Sequence, residues 1–181
     1  MTKELLLIRH AEAFANVGDF AAMGNYGSPL TEKGRLEQCP DLRTRIHNQF
    51  GFFPEEYESV VVGSEYRRPR ETALYTGFRR IDVNPLLNEP DFSTGIMTGK
   101  EIVAKHQKER WAPEEARIQA RRLIECILND DFPYFIAFTH GMFTATVLLE
   151  LETSGHDMSG YTFDEKRGYV PLQTGVTKLI L

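Results

Sequence analysis

Cysteine is scarce. Only Cys39 and Cys126 occur in 181 residues, far apart and without C-x-x-C spacing, which removes a disulfide framework and a cysteine-ligated zinc site. Long apolar runs are missing too, since no stretch approaches the roughly 20 apolar residues of a membrane helix. The start, Met1-Thr2-Lys3-Glu4 and then a short apolar run, lacks the longer segment and small-residue cleavage site of a secretory signal. A soluble, cytoplasmic protein without membrane contact is the expectation. Positive charge is not in excess: 21 Lys and Arg stand against 26 Asp and Glu, a net charge of −5, which argues against a general nucleic-acid binder. There is also no Lys-bearing Gly-rich loop and no cluster of acidic metal ligands.

What is present is an ordinary globular composition, 41% hydrophobic and 26% charged, long enough for one domain spanning 1–181. Leu5-Leu6-Leu7-Ile8 is too short for an independent helix and reads as a buried strand. Residues 59–62, 80–83, 134–138 and 176–181 read as further strands. Helices are predicted from Thr31, an N-cap, toward Phe50, with a kink or restart at Pro40; from Arg68 to Phe78, with Pro69 tolerable only in the first turn; and over 101–107, 113–128 and 142–151. The helix over 113–128 spreads Ala116, Ile118, Leu123, Ile124, Ile127 and Leu128 over one broad face. Residues 11–28 and 84–98 read as loops over the site. Strand and helix alternate throughout, so the class is α/β: a single-domain three-layer sandwich whose mostly parallel central sheet is flanked by helices.

Three apolar strands each end on basic or imidazole groups: Arg9-His10 after the first, the Ser64 to Ala73 segment with Arg68 after the second, and Thr139-His140-Gly141 after the fourth. In open α/β folds ligands bind at the carboxyl edge of the sheet. Arg9, His10, Asn16, Arg68 and His140 therefore make one constellation, with one nucleophile candidate and several donors. It suits a phosphoryl group, because guanidinium forks match phosphate oxygens in pairs and carry charge that does not titrate away. Arg67 and Arg70 are turned away from Arg68 by helix periodicity. His47, His106 and His156 read as surface histidines.

These blocks resemble the histidine phosphatase superfamily, also called phosphoglycerate-mutase-like. Arg9, His10, Glu12 and Asn16 fit its R-H-G-E block with a nearby Asn; Pro29, Leu30, Thr31, Gly34 and Gln38 fit P-L-T-x-x-G-x-x-Q. Ser64, Arg68, Thr72 and Ala73 fit S-x-L-x-R-A-x-x-T-A, Leu87-Asn88-Glu89 looks like the acid-bearing segment, and Thr139-His140-Gly141 like the second histidine block. Departures are Ala11 for glycine, Tyr66 for Leu and Pro69 for Ala. Gly141, where the acid-phosphatase branch has Asp, points to the mutase-like branch.

The resemblance implies a phosphatase that hydrolyses a small phosphorylated substrate through a phosphohistidine on His10, without metal or other cofactor. Arg9, Arg68 and His140 would hold the phosphoryl oxygens, Asn16 and Gly141 would bind substrate, and Glu89 would be the acid. Glu12 would orient the loop or an arginine. A phosphoglycerate-mutase-type phosphomutase and a phosphate-binding regulator, its turnover stopped by Ala11 or an ineffective Glu89, are the alternatives.

Overall fold

The first apolar run lies at the centre of β1 (Glu4–Arg9), and its alternating side chains face two different cores. In the computed structural model, residues 3–17, 26–51, 61–90, 99–132, 134–159, 161 and 169–181 are described. The other strands are β2 (Val61–Gly63), β3 (Asp82–Val83), β4 (Tyr134–Thr139) and β5 (Val176–Ile180). Ser59 and Val60, also expected in the second strand, lie outside the described residues. Among the described residues five strands form one sheet in the order β3-β2-β4-β1-β5, parallel except for the antiparallel edge strand β5.

Leu5 and Leu7 of β1, with Phe135 and Ala137 of β4, face a core closed by α3 (Gly99–Glu109), α4 (Glu114–Asn129) and α5 (Gly141–Thr153). Leu6 and Ile8, with Ile136 and Phe138, face α1 (Cys39–Phe50) and α2 (Arg67–Thr76) through Leu42, Ile46 and Ala73. Each of these large apolar side chains contributes about 1.5–3 kcal/mol on burial. Helices thus cover both faces, which is the expected three-layer arrangement. The helices that follow β1 and β2 and those between β3 and β4 thus lie on opposite faces, the arrangement that in open α/β sheets puts the ligand site at the carboxyl ends of the strands. No helix among the described residues is long and apolar enough to cross a membrane.

Thr31 caps its helix as expected: its Oγ1 accepts from the Gly34 N–H at 3.1 Å. Pro40 has the effect foreseen for it. Having no N–H, it cannot continue the regular ladder, and the turn before it, Gly34–Gln38, widens to a π-helix in which the Cys39 N–H reaches Gly34 O. Gly34 is required for another reason, since a Cβ there would stand 2.3 Å from the Glu12 carbonyl oxygen.

Two expectations fail. On α4 the buried stripe is Ala116, Ala120, Leu123 and Ile127, while Ile118 and Leu128 are exposed: the buried face is narrower than the apolar one. His106 is not on the surface. It is fully buried, with Nδ1 3.0 Å from the Trp111 carbonyl oxygen and Nε2 accepting from the Tyr169 N–H at 3.4 Å. His156 is exposed as expected. Helix α5 is buried on every side over 141–151, including Glu150, whose carboxylate is met by Arg117 and Arg121 of α4.

Candidate active site

β1 delivers Arg9 and His10, β2 delivers Ser64 and, one helical turn later, Arg68, and β4 delivers His140. The strand ends are laced together past the regular ladder: the His10 N–H donates to Thr139 O and the Ser64 N–H to Phe138 O, both at 3.0 Å. Consecutive apolar strands in a parallel sheet therefore bring residues far apart in the chain to one edge.

His10 is buried, and its ring is locked. Nδ1 lies 2.7 Å from the Ala11 carbonyl oxygen, which only accepts, so Nδ1 carries the proton and Nε2 keeps its lone pair. That lone pair accepts from Arg68 Nε at 3.1 Å. Burial, then Arg68 and Arg9, hold the imidazole well below the usual histidine range. His140 is equally buried, 5.2 Å from His10 between ring centroids and edge-on to it, and it is lowered in the same way by burial, His10 and both arginines.

Arg68 bridges the two imidazoles, its Nη2 3.2 Å from His140 Nδ1. Its guanidinium also lies 4.7 Å from the Tyr66 ring centre, so the Tyr66 that replaces leucine packs against the cation. The Tyr66 hydroxyl is pushed up to about 12, mainly by burial, and stays neutral. Arg67 and Arg70 are exposed, and Arg67 pairs with Glu71 at 2.6 Å, as helix periodicity required.

Arg9 is pinned from the far end of the chain. Its Nη1 donates to Pro171 O at 2.5 Å, and it lies against Gly141, where a Cβ would stand 2.9 Å from Arg9 Nε. The same segment reaches His10 through Thr174, whose N–H donates to His10 O at 3.4 Å. Thr174 sits at φ 54°, a strained state for a β-branched residue, and is held by two bonds from Arg45 Nη2 to its O and Oγ1.

Glu89 follows a 3-10 turn, Pro85–Leu87, that Thr139 Oγ1 anchors by donating to Leu87 O at 2.7 Å. Gln119 of α4 holds the same loop by donating to Leu86 O and Asn88 O, both at 2.9 Å. The carboxyl meets the amino end of α5: Oε1 accepts from the Phe143 N–H at 3.0 Å, and Oε2 lies 3.4 Å from His140 Nδ1. Burial pushes Glu89 up to about 7, against the pull of Arg68, Arg9 and the helix N–H groups. A carboxyl in that range can hold or release a proton near neutrality.

Asn16 closes a 3-10 turn, Phe14–Asn16, its Oδ1 accepting from the Ala13 N–H at 3.1 Å. Glu12 is a loop-holding residue: Oε1 accepts from Thr31 Oγ1 at 2.9 Å and Oε2 pairs with Lys33 at 3.5 Å. Ala11 is accommodated without positive φ; its methyl joins Ala13, Leu30 and Cys39 in a small apolar cluster. Tyr26 stacks on Tyr66 at 4.0 Å and Phe14 is exposed, while 18–25 and 91–98 of the two loops expected over the site lie outside the described residues. Sequence reading missed Asn88, Gln119 and the Pro171 carbonyl. Asn88 was visible only as the neighbour of Glu89, and a backbone carbonyl has no sequence signature.

The fold recurs in solved structures. A mutant phosphoserine phosphatase from Entamoeba histolytica in complex with phosphoserine is 19% identical with a TM-score of 0.65, covering 97% of this chain and 89% of that one. A mycobacterial glucosyl-3-phosphoglycerate phosphatase in complex with VO3 is 20% identical with a TM-score of 0.63, covering 98% and 92%. A protein from Thermus thermophilus is 19% identical with a TM-score of 0.59, covering 97% and 92%. No curated protein matches by sequence. The profile of the histidine phosphatase superfamily (branch 1) matches residues 5–161, most of the chain and all the blocks from Arg9 to Gly141, and the chain belongs to that superfamily.

Proposed function

We propose that this protein hydrolyses small phosphomonoesters through a phosphohistidine on His10. The observation that carries the reading is the state of the His10 ring: Nδ1–H is held by Ala11 O, so the lone pair on Nε2 faces Arg68 in a site with a second arginine and a proton-bearing carboxyl. An incoming phosphoryl group takes over the Arg68 guanidinium and uncovers that lone pair. Nε2 then attacks phosphorus in line, the N–P bond forms as the ester P–O bond breaks, and Glu89 gives its proton to the leaving oxygen. In the second step water attacks phosphorus, the N–P electron pair returns to Nε2, and the Glu89 carboxylate takes the water proton.

Arg9 and Arg68 supply positive charge that is in place before the reaction begins, which is the largest kind of contribution a phosphoryl-transfer site makes. The scheme needs no metal. Asn16 and the Gly141 backbone bind substrate in this reading. Two of the proteins named above carry phosphoserine and glucosyl-3-phosphoglycerate in their names, which supports a small phosphorylated metabolite as substrate here.

The test is phosphate release across a panel of phosphometabolites, with His10→Ala as control, and rapid acid-free quenching to trap the adduct. An acid-labile, alkali-stable phosphoryl group on His10 is expected. A phosphoryl group on serine or a carboxylate, or undiminished turnover by His10→Ala, ends the reading.

A further inference from the structure

Ser64 sits at the end of β2, fully buried, and its hydroxyl has one proton and three neighbours. Asn88 Oδ1 is at 2.8 Å, His140 Nε2 at 3.0 Å, and the Tyr66 N–H donates to Ser64 Oγ at 3.2 Å. Which neighbour receives the proton depends on the orientation of the Asn88 amide, and two further bonds fix it. The Glu65 N–H donates to Asn88 Oδ1 at 2.8 Å, and Asn88 Nδ2 donates to Glu65 Oε2 at 2.6 Å. A flipped amide would set two donors against each other at the first contact and two acceptors at the second. Asn88 Oδ1 therefore accepts from Ser64, the only proton on the hydroxyl is spent there, and His140 Nε2 must itself be the donor to Ser64 Oγ.

We infer that Asn88 and Ser64 are positioning residues that hold His140 as its Nε2–H tautomer, so that its Nδ1 lone pair is aimed at Arg68 Nη2 and Glu89 Oε2. Neither residue touches the transferring group; both act through the second imidazole. The consequence is directional. With Nδ1 unprotonated, the Arg68 Nη2–H at 3.2 Å has an acceptor, so the guanidinium is held between two nitrogen lone pairs, His10 Nε2 on one side and His140 Nδ1 on the other. The other tautomer would place an N–H against an N–H there and push Arg68 from His10. Glu89 Oε2, 3.4 Å from the same Nδ1, also faces an acceptor, which suits a carboxyl that carries a proton. A three-residue relay, Asn88 to Ser64 to His140, thus sets the orientation of the arginine that the proposed chemistry uses.

The role is assigned within the phosphohistidine reading, but its test does not depend on turnover. Nitrogen-15 spectra of the histidine-labelled protein should show His140 Nε2 as the protonated, pyrrole-type nitrogen and Nδ1 as the pyridine-type one, whether or not any substrate is hydrolysed. Ser64→Ala should lose that tautomer and lower kcat roughly 10- to 100-fold, the range for a hydrogen bond acting on a charged site, with KM little changed. The double variant N88D/E65Q exchanges amide and carboxylate across their contact, keeps an acceptor facing Ser64, and should retain both the tautomer and most of kcat. A wild-type spectrum with Nδ1 protonated overturns the inference, and so does a Ser64→Ala protein with unchanged tautomer and kcat. Loss of the tautomer in N88D/E65Q with its melting temperature preserved would overturn the part given to Asn88.

Discussion

Arg68 donates its Nε–H to His10 Nε2 at 3.1 Å, so in the proposed chemistry the nucleophile is capped by the cation that would receive the substrate. The contact does two things. With burial, the larger cause, it keeps the imidazole neutral, because a proton on Nε2 would face a fixed guanidinium, and in the proposed chemistry it ties uncovering of the lone pair to arrival of an anion that competes for the arginine.

Replacing Arg68 should therefore cost more than binding. Arg68→Ala is expected to lower kcat/KM by about 2.7–4 kcal/mol, the range for a transition-state donor. Arg68→Lys should recover little of it, since one ammonium cannot reach both His10 Nε2 and His140 Nδ1 as the fork does. Steady-state kinetics on one good substrate decide it; a twofold effect would mean that another cation holds the phosphoryl group.

Glu89 predicts a dependence on leaving group. Glu89→Gln should lose roughly 10²- to 10⁴-fold on alkyl phosphates, which need their oxygen protonated, and far less on aryl phosphates whose phenolate departs unaided. In the wild type, kcat/KM should fall as pH rises through about 7, where Glu89 gives up its proton. An alkaline limb that persists in Glu89→Gln would assign it to another group.

Stability should vary with pH in two directions. His10, His140 and His106 are lowered on folding, so the unfolded chain takes up protons below 6.5 that the folded one refuses, and stability falls as pH drops through 6.5 by up to about 1.4 kcal/mol per pH unit for each histidine. Glu89 is raised, so its contribution is full below 4.5 and is lost as pH rises toward 7. Three sites outweigh one up to and beyond pH 7, so stability should rise with pH from 5 and level off above about 7, with Glu89 only flattening the rise. Urea denaturation from pH 5 to 8 measures this; stability that rises on acidification from 6.5 would contradict it, and Glu89→Gln should make the rise from pH 5 to 7 steeper.

Gly141→Ala puts a methyl where the Arg9 guanidinium lies. The obstacle is a side-chain end, so the fold should survive while Arg9 moves off Pro171 O, with a loss of roughly tenfold in kcat/KM, the value of one charge-assisted contact. Wild-type melting temperature combined with full activity would show that Arg9 is not needed where it stands.

Exhaustive dialysis against a chelator should leave turnover unchanged, because in the proposed chemistry Arg9 and Arg68 carry the charge a metal would otherwise supply. Activity lost to EDTA and restored by a divalent cation would refute that.

The sequence disclosed those parts of the site that lie next to a strand. Arg9, His10 and His140 each follow an apolar run, and Arg68 follows one at a single helical turn, so period and position locate them. What was illegible depends on partners remote in sequence: His106 sits on a polar helix and is buried only because Trp111 and Tyr169 present a carbonyl and an amide to it. Ser64 was visible as a motif residue, yet its task depends on the Asn88 amide, whose orientation is set by Glu65. On α4, Ile118 and Leu128 are apolar enough for the core but fall beyond the stripe that α5 and the sheet cover.

The pairing of β1 with β4, Glu4 beside Tyr134 through Arg9 beside Thr139, also governs how this protein comes into being as a catalyst. Such distant pairing is slow to form, because a long loop must close before any contact repays it. Until it forms, the two imidazoles belong to unconnected stretches of polymer. Refolding from denaturant should therefore restore phosphate release only in its last phase, with no partly active species beforehand.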